Sequence, residues 1–115
     1  VTIKWSHLEL FCHDTNVAAR WWQHALDATL DTDMGEFKFM TVQGLTLLLR
    51  PGVPGSAANY RSADLAIVFC TDDLAAAAQI LTERGIEFGH GDEDACLTLQ
   101  DSEGHWIQIT DQVMS

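Results

Sequence analysis

The sequence predicts an α+β fold built from two tandem βαβββ modules. Three observations predict it. Leu8 to Asp14 has a counterpart in Ala66 to Asp72; an alanine-rich, helix-patterned segment follows the aspartate in both places; and Phe37 to Val42 and Gly44 to Arg50 align with Ala95 to Gln100 and Gly104 to Thr110. A repeat this long is a doubled supersecondary unit rather than a solenoid, which needs several shorter stacked copies to cover its core. The expected architecture is two curved mixed sheets around a cleft with the helices outside. It divides into a first module over 1–50, a connector over 51–63 and a second module over 64–115, all within one domain.

Each element has a local cause. In the first strand Trp5, His7, Glu9 and Phe11 alternate with Ser6, Leu8, Leu10 and Cys12, so one face mixes aromatic and polar groups while the largely apolar face meets the helix. Asp14 is a good N-cap for a helix in which Val17, Ala18, Trp21, Trp22, Ala25 and Leu26 form an apolar stripe. Asp72 or Asp73 caps the second helix, where Leu74, Ala77, Ala78 and Leu81 share a face and Gly85 ends it in a left-handed turn. Pro51 to Asn59 is rich in Pro, Gly and Ser and cannot continue a ladder. It reads as a linker, with Tyr60 and Arg61 as candidates for a lid.

Composition narrows the function. The 115 residues carry 17 acidic and 6 basic side chains, a net charge of −11, which repels phosphate backbones and anionic membrane surfaces. Nucleic acid and membrane are therefore not expected as partners. No apolar run approaches the roughly 18 residues of a spanning helix and no signal-peptide order opens the chain, so a cytoplasmic protein is expected. Many acids fall where loops are expected, at Asp31, Asp33, Asp92 to Asp94, Asp101 and Glu103, which favours a solubility role over a preference for cationic ligands. Cys12 and Cys70 occupy equivalent places in the two copies, which points to packing against the helices. His90 with Asp92, Glu93 and Asp94 lacks the oxygen-ligand periodicity of a calcium loop.

His7 to Cys12 leading into Trp21 to Asp27, together with Asp101-Ser102-Glu103-Gly104-His105-Trp106-Ile107-Gln108-Ile109, resembles the vicinal oxygen chelate superfamily of glyoxalases, extradiol dioxygenases and bleomycin-resistance proteins. The resemblance implies metal positions on the inward faces of the first, fourth, fifth and eighth strands. Carried over, these are His7, Leu48, Leu65 and Gln108. Leucine offers no lone pair, so neither a family-type metal site nor another cofactor is expected. A register shift of one residue would bring Asp64 in place of Leu65 and restore one donor.

With His7 and Gln108 inward, alternation puts Trp5, Glu9, Phe11, Thr46, Leu48, Leu65, Ile67, Phe69, Trp106 and Thr110 on the same concave surface. Such a lining suits an organic ligand, with flat rings stacking on Trp5 or Trp106 and Glu9 meeting a cationic or hydrogen-bonding group. The resemblance then implies a small-molecule-binding protein of the drug-sequestering, antibiotic-resistance kind, and a homodimer. The competing expectation is a lyase, isomerase or dioxygenase-like enzyme. In it Glu9 or His7 acts as general base, the aromatic flanks raising the proton affinity of Glu9, or an atypical metal site does the chemistry.

Overall fold

The computed structural model describes residues 1–55, 57–90 and 96–111. The expected acidic loop Asp92 to Asp94, and Ser56 of the connector, lie outside the described residues. Two compact units divide the chain, Val1–Pro54 and Gly55–Ser115.

The first unit is a complete βαβββ module. Its elements are β1 (Leu8–Cys12), α1 (Thr15–Leu26), β2 (Thr29–Met34), β3 (Phe37–Val42) and β4 (Leu45–Pro51). They form one sheet in the order β1-β4-β3-β2, with β1 and β4 parallel and the rest antiparallel. Asp14 caps α1, its Oδ1 accepting from the backbone amides of Asn16 and Val17 at 3.0 and 3.1 Å. Asp27 closes the helix in the left-handed region at φ 56°. The buried stripe is narrower than expected: Thr15, Ala18, Ala19, Trp22 and Ala25 face inward, while Val17 is exposed and Trp21 half-buried. Trp22, fully buried, meets the sheet face made by Leu10, Cys12, Met40, Val42, Leu47 and Leu49.

Sharp turns fix the register of these strands. Gln43 and Gly44, at φ 49° and 82°, form the two-residue turn of the β3–β4 hairpin, a geometry that requires positive φ at both positions. A bulge at Asp31 lets β2 bend over β3, and the Asp31 carboxylate accepts from the Thr41 hydroxyl. Asp31 and Asp33 therefore belong to a strand and not to a loop. Asp33 reaches Nζ of Lys38 at 2.7 Å, and Lys38 is buried on the helix side of β3. Pro51, placed by the sequence in the connector, pairs with Cys12 as the last residue of β4, and the Gly52 amide extends the ladder by donating to the Cys12 carbonyl at 3.0 Å. Proline is tolerated there because the strand end asks only for its carbonyl.

The described residues of the second unit follow the same plan. They hold a 3₁₀ turn at Tyr60–Ser62, β5 (Ala66–Cys70), α2 (Leu74–Glu83), β6 (Cys96–Gln100) and β7 (Trp106–Thr110). The sheet order is β5-β7-β6, with β5 parallel to β7 and β6 antiparallel to it. Where a third strand after the helix was expected, the described residues show a single bridge between Gly89 and Thr98. Asp73 caps α2 by accepting from the Ala76 amide at 3.0 Å, and Gly85 at φ 74° ends it. Ile67, Leu81, Leu97, Leu99, Ile107 and Ile109 make the core of this unit.

Asp101, expected among the solvated loop acids, is buried. Its carboxylate accepts from the amides of Glu103 and His105 and from the His105 ring at 2.7 Å, so it pins the β6–β7 hairpin.

Candidate ligand-binding site

The face of the first sheet opposite α1 gathers the polar and aromatic groups. His7, just ahead of β1, with Glu9 and Phe11 projects to this side because Leu8, Leu10 and Cys12 take the other. Register then sets the neighbours: Glu9 lies beside Leu48, Phe11 beside Arg50, Leu48 beside Phe39, and Thr46 beside Thr41. Trp5 precedes the strand and is 74% exposed.

A chain of polar contacts runs across the face. The Ser6 hydroxyl meets His7 Nδ1 at 2.7 Å, His7 Nε2 meets Glu9 Oε2 at 3.3 Å, and Arg50 Nη1 donates to Glu9 Oε1 at 2.8 Å. The arrangement suits an imidazole with its proton on Nε2, donating to Glu9, and its Nδ1 lone pair accepting from Ser6. The Arg50 guanidinium lies 5.2 Å from the centroid of the Phe11 ring and 5.6 Å from that of Phe37, while Phe39 meets the His7 ring edge-on at 5.4 Å. Arg50 Nε is buried without an acceptor.

These contacts reverse one expectation. The proton affinity of Glu9 is lowered, chiefly by the hydrogen bond from Arg50 and further by His7, which outweighs partial desolvation. Glu9 thus lacks the raised proton affinity expected from its aromatic flanks.

In the second unit Trp106, Gln108 and Thr110 share a face with Ala66, Val68 and Cys70, while Ile67 and Phe69 stand beside Ile107 and Ile109 on the other. The expected grouping of Leu65, Ile67 and Phe69 with Trp106 and Gln108 is therefore corrected by one residue. The physical reason is burial: Ile67 is needed in the apolar core, whereas Val68 is 52% exposed. Leu65, ahead of the strand and 59% exposed, falls out of line with Gln108. The nearest upstream residue of matching parity is Asp64, which is also exposed. The same slip undoes the equivalence of the cysteines, for Cys12 is buried and Cys70 exposed, and no disulfide joins any of the three.

Trp106 is held in place, its Nε1 donating to the Ala57 carbonyl at 3.3 Å and its ring meeting Tyr60 edge-on at 5.9 Å. Gln108 Nε2 donates to Cys96 Sγ at 3.4 Å. Burial first, then the nearby Cys96, raises the proton affinity of the Tyr60 phenol. Tyr60, a candidate lid residue by sequence, is thus a packing partner of Trp106.

Arg50, Phe37 and Phe39 were missed by sequence reasoning, although alternation from Leu48 leads directly to Arg50. All three lie within the expected strands, so what was missing is the face and not the element; Lys38, a cation buried on the core side of β3, breaks the usual alternation there.

Whether this face fits a divalent cation is a matter of donor chemistry. Both ring nitrogens of His7 are engaged, Leu48 has no donor atom, and the only carboxylate in the polar chain is paired with a guanidinium. A second cation would have to break that pair and stand beside Arg50. The first unit's donors do not fit the metal. Among the described residues no three His, Cys, Asp or Glu side chains cluster as a metal site would require.

Comparison with solved structures finds the same fold at low sequence identity. The E126Q mutant of the fosfomycin resistance protein FosX from Listeria monocytogenes, complexed with Mn(II) and 1S,2S-dihydroxypropylphosphonic acid, matches with a TM-score of 0.73 at 16% identity, over 99% of this chain and 94% of that one. FosX from Mesorhizobium loti matches at 0.72 and 15%, over 99% and 95%. TioX from Micromonospora sp. ML1 matches at 0.71 and 15%, over 95% and 100%. Comparison with curated protein sequences gave no significant match. The model of the Glyoxalase/Bleomycin resistance protein/Dioxygenase superfamily matches residues 4–109, and with that match added to the βαβββ topology, the chain belongs to this superfamily.

Proposed function

We propose that this chain is a small-molecule-binding protein of its superfamily that holds an aromatic organic ligand without a family-type metal site, and that it serves antibiotic or toxin sequestration. The observation that carries this reading is the face of the first sheet, where Phe11 and Phe37 remain 44% and 37% exposed around a fixed Ser6–His7–Glu9–Arg50 chain. Exposed aromatic rings next to prearranged polar groups make a recognition surface, because the rings supply apolar contact and the polar chain sets orientation. The resistance functions named for the FosX neighbours support the biological half of the proposal.

The competing reading, an enzyme with Glu9 or His7 as general base, asks Glu9 for a raised proton affinity, and its pairing with Arg50 works against that. A cytoplasmic homodimer that binds neither nucleic acid nor membrane is part of the same proposal. Among the described residues no helix is long and apolar enough to cross a membrane.

Native mass spectrometry of the protein as isolated, repeated after incubation with nickel, manganese, zinc and ferrous iron, tests the reading. The expected result is a dimer that takes up no stoichiometric metal and carries, or can be loaded with, an organic molecule. One equivalent of tightly held metal per chain would overturn it.

A further inference from the structure

We propose that Arg50 is the specificity-determining residue of this face and that it selects flat ligands carrying an oxyanion, such as aromatic carboxylates. The proposal rests on the ligand-binding reading above and deepens it, replacing the cationic preference that Glu9 alone would imply.

The first ground is the state of Glu9. Its two oxygens are occupied, Oε1 by Arg50 and Oε2 by His7, so its charge is already matched and a cationic ligand would have to compete with a guanidinium at 2.8 Å. The second is the state of Arg50. A guanidinium offers five N–H donors in a rigid fork, and here Nη1 serves Glu9 while Nε is buried without an acceptor. The Nε and Nη2 donors form the side edge of the fork, which matches the two oxygens of a carboxylate. With 37% of the Arg50 side chain exposed, a ligand oxyanion can approach its outer end. Reaching Nε as well would displace the atoms that cover it and give this buried donor the acceptor it lacks.

The third ground is the aromatic frame. Phe11 and Phe37 flank the guanidinium and limit where it can turn, so its donors are presented in a restricted direction. Phe11 is itself set by Gly52: a Cβ there would fall 2.6 Å from Phe11 Cδ1 and 3.1 Å from its Cβ. The overall charge of −11 does not contradict an anionic ligand, because beyond about 8 Å surface charges are largely screened at physiological salt and the nearest cation decides.

Three probes sharing one ring system test this by calorimetry: naphthalene-2-carboxylate, the neutral naphthalene-2-carboxamide and the cationic naphthalen-2-ylmethylammonium. The expected order of affinity is carboxylate, then amide, then ammonium. Arg50→Gln should weaken the carboxylate at least about tenfold, weaken the amide by less, and strengthen the ammonium by releasing Glu9. An unchanged far-UV circular dichroism spectrum with cooperative thermal unfolding certifies that this variant is folded. Gly52→Ala, which disturbs Phe11 and leaves the charges alone, should weaken all three probes while keeping their order. If the probes bind without the expected order, or Arg50→Gln leaves the carboxylate unaffected, the inference about Arg50 is overturned and the binding reading stands. If none of the three binds the unaltered protein, the binding reading falls and takes the inference with it.

Discussion

The two units start from similar strand-helix segments and finish differently. In the first, α1 sinks a whole tryptophan into the sheet, and three strands follow it. In the second, Leu81 is the one buried residue of α2, and among the described residues a bridge and two strands follow. The contrast extends to chemistry: the first unit's open face carries an ordered polar chain, whereas on the second unit's Trp106 and Gln108 are tied to their own backbone and thiol neighbours. The two copies share the parallel pairing of first and last strands, and they differ in how deeply their helices are buried and in the side-chain contacts on the other face of each sheet.

Substitutions can break this comparison, beginning with the largest effect. Trp22→Ala should cost about 3–5 kcal/mol in urea denaturation, while Leu81→Ala in the weaker helix should cost about 2–3 kcal/mol. Equal losses would mean that the helices anchor their sheets equally. Next comes the corrected register of β5: Ile67→Ala should destabilise by about 2–4 kcal/mol, and Val68→Ala by no more than about 0.5 kcal/mol. The reverse order would restore the face first expected for Leu65, Ile67 and Phe69.

The caps discriminate more finely. Asp14 accepts from two amides and Asp73 from one, so Asp14→Ala should cost about 1–2 kcal/mol and Asp73→Ala about 0.5–1 kcal/mol, read as shifts in thermal midpoint.

Acid should sharpen the comparison by the smallest margin. Glu9 is held below its ordinary 4.5 by Arg50, and Asp33 below its ordinary 3.8 by Lys38 and the Gly35 amide. Depressed carboxylates contribute stability that is present above these ordinary values and is lost as pH falls through the folded-state values. Both groups lie in the first unit, so Glu9→Gln and Asp33→Asn should each flatten its stability profile below about pH 4.5. A profile unchanged in both variants would remove these pairs from the account.

How much of this was legible in the sequence depended on whether a residue's surroundings were local. Asp14, Asp73 and Gly85 act within one helical turn, and each is readable from its immediate neighbours. The hairpin turn at Gln43 and Gly44 lies likewise in the adjoining residues. Leu65, Ile67 and Phe69 were misassigned because β5 is short and apolar on both faces, so alternation alone cannot say which side is core. Asp101 was misleading in the other direction: the hairpin buries it, its carboxylate taken up by the Glu103 and His105 amides and the His105 ring. Arg50 lies inside the expected strand, but its pairing with Glu9, 41 positions away, is not a local feature.

The parallel pairing of β1 with β4 has a consequence in time as well as in space. Glu9 and Arg50 are 41 positions apart, and a parallel pair cannot form until the helix and hairpin between them have been made and folded back. Such non-local closures come late because their loop entropy must be met before they are rewarded. The Glu9–Arg50 pair therefore forms only once β4 lies beside β1, and a nascent chain that has not yet placed β4 holds Glu9 without its partner.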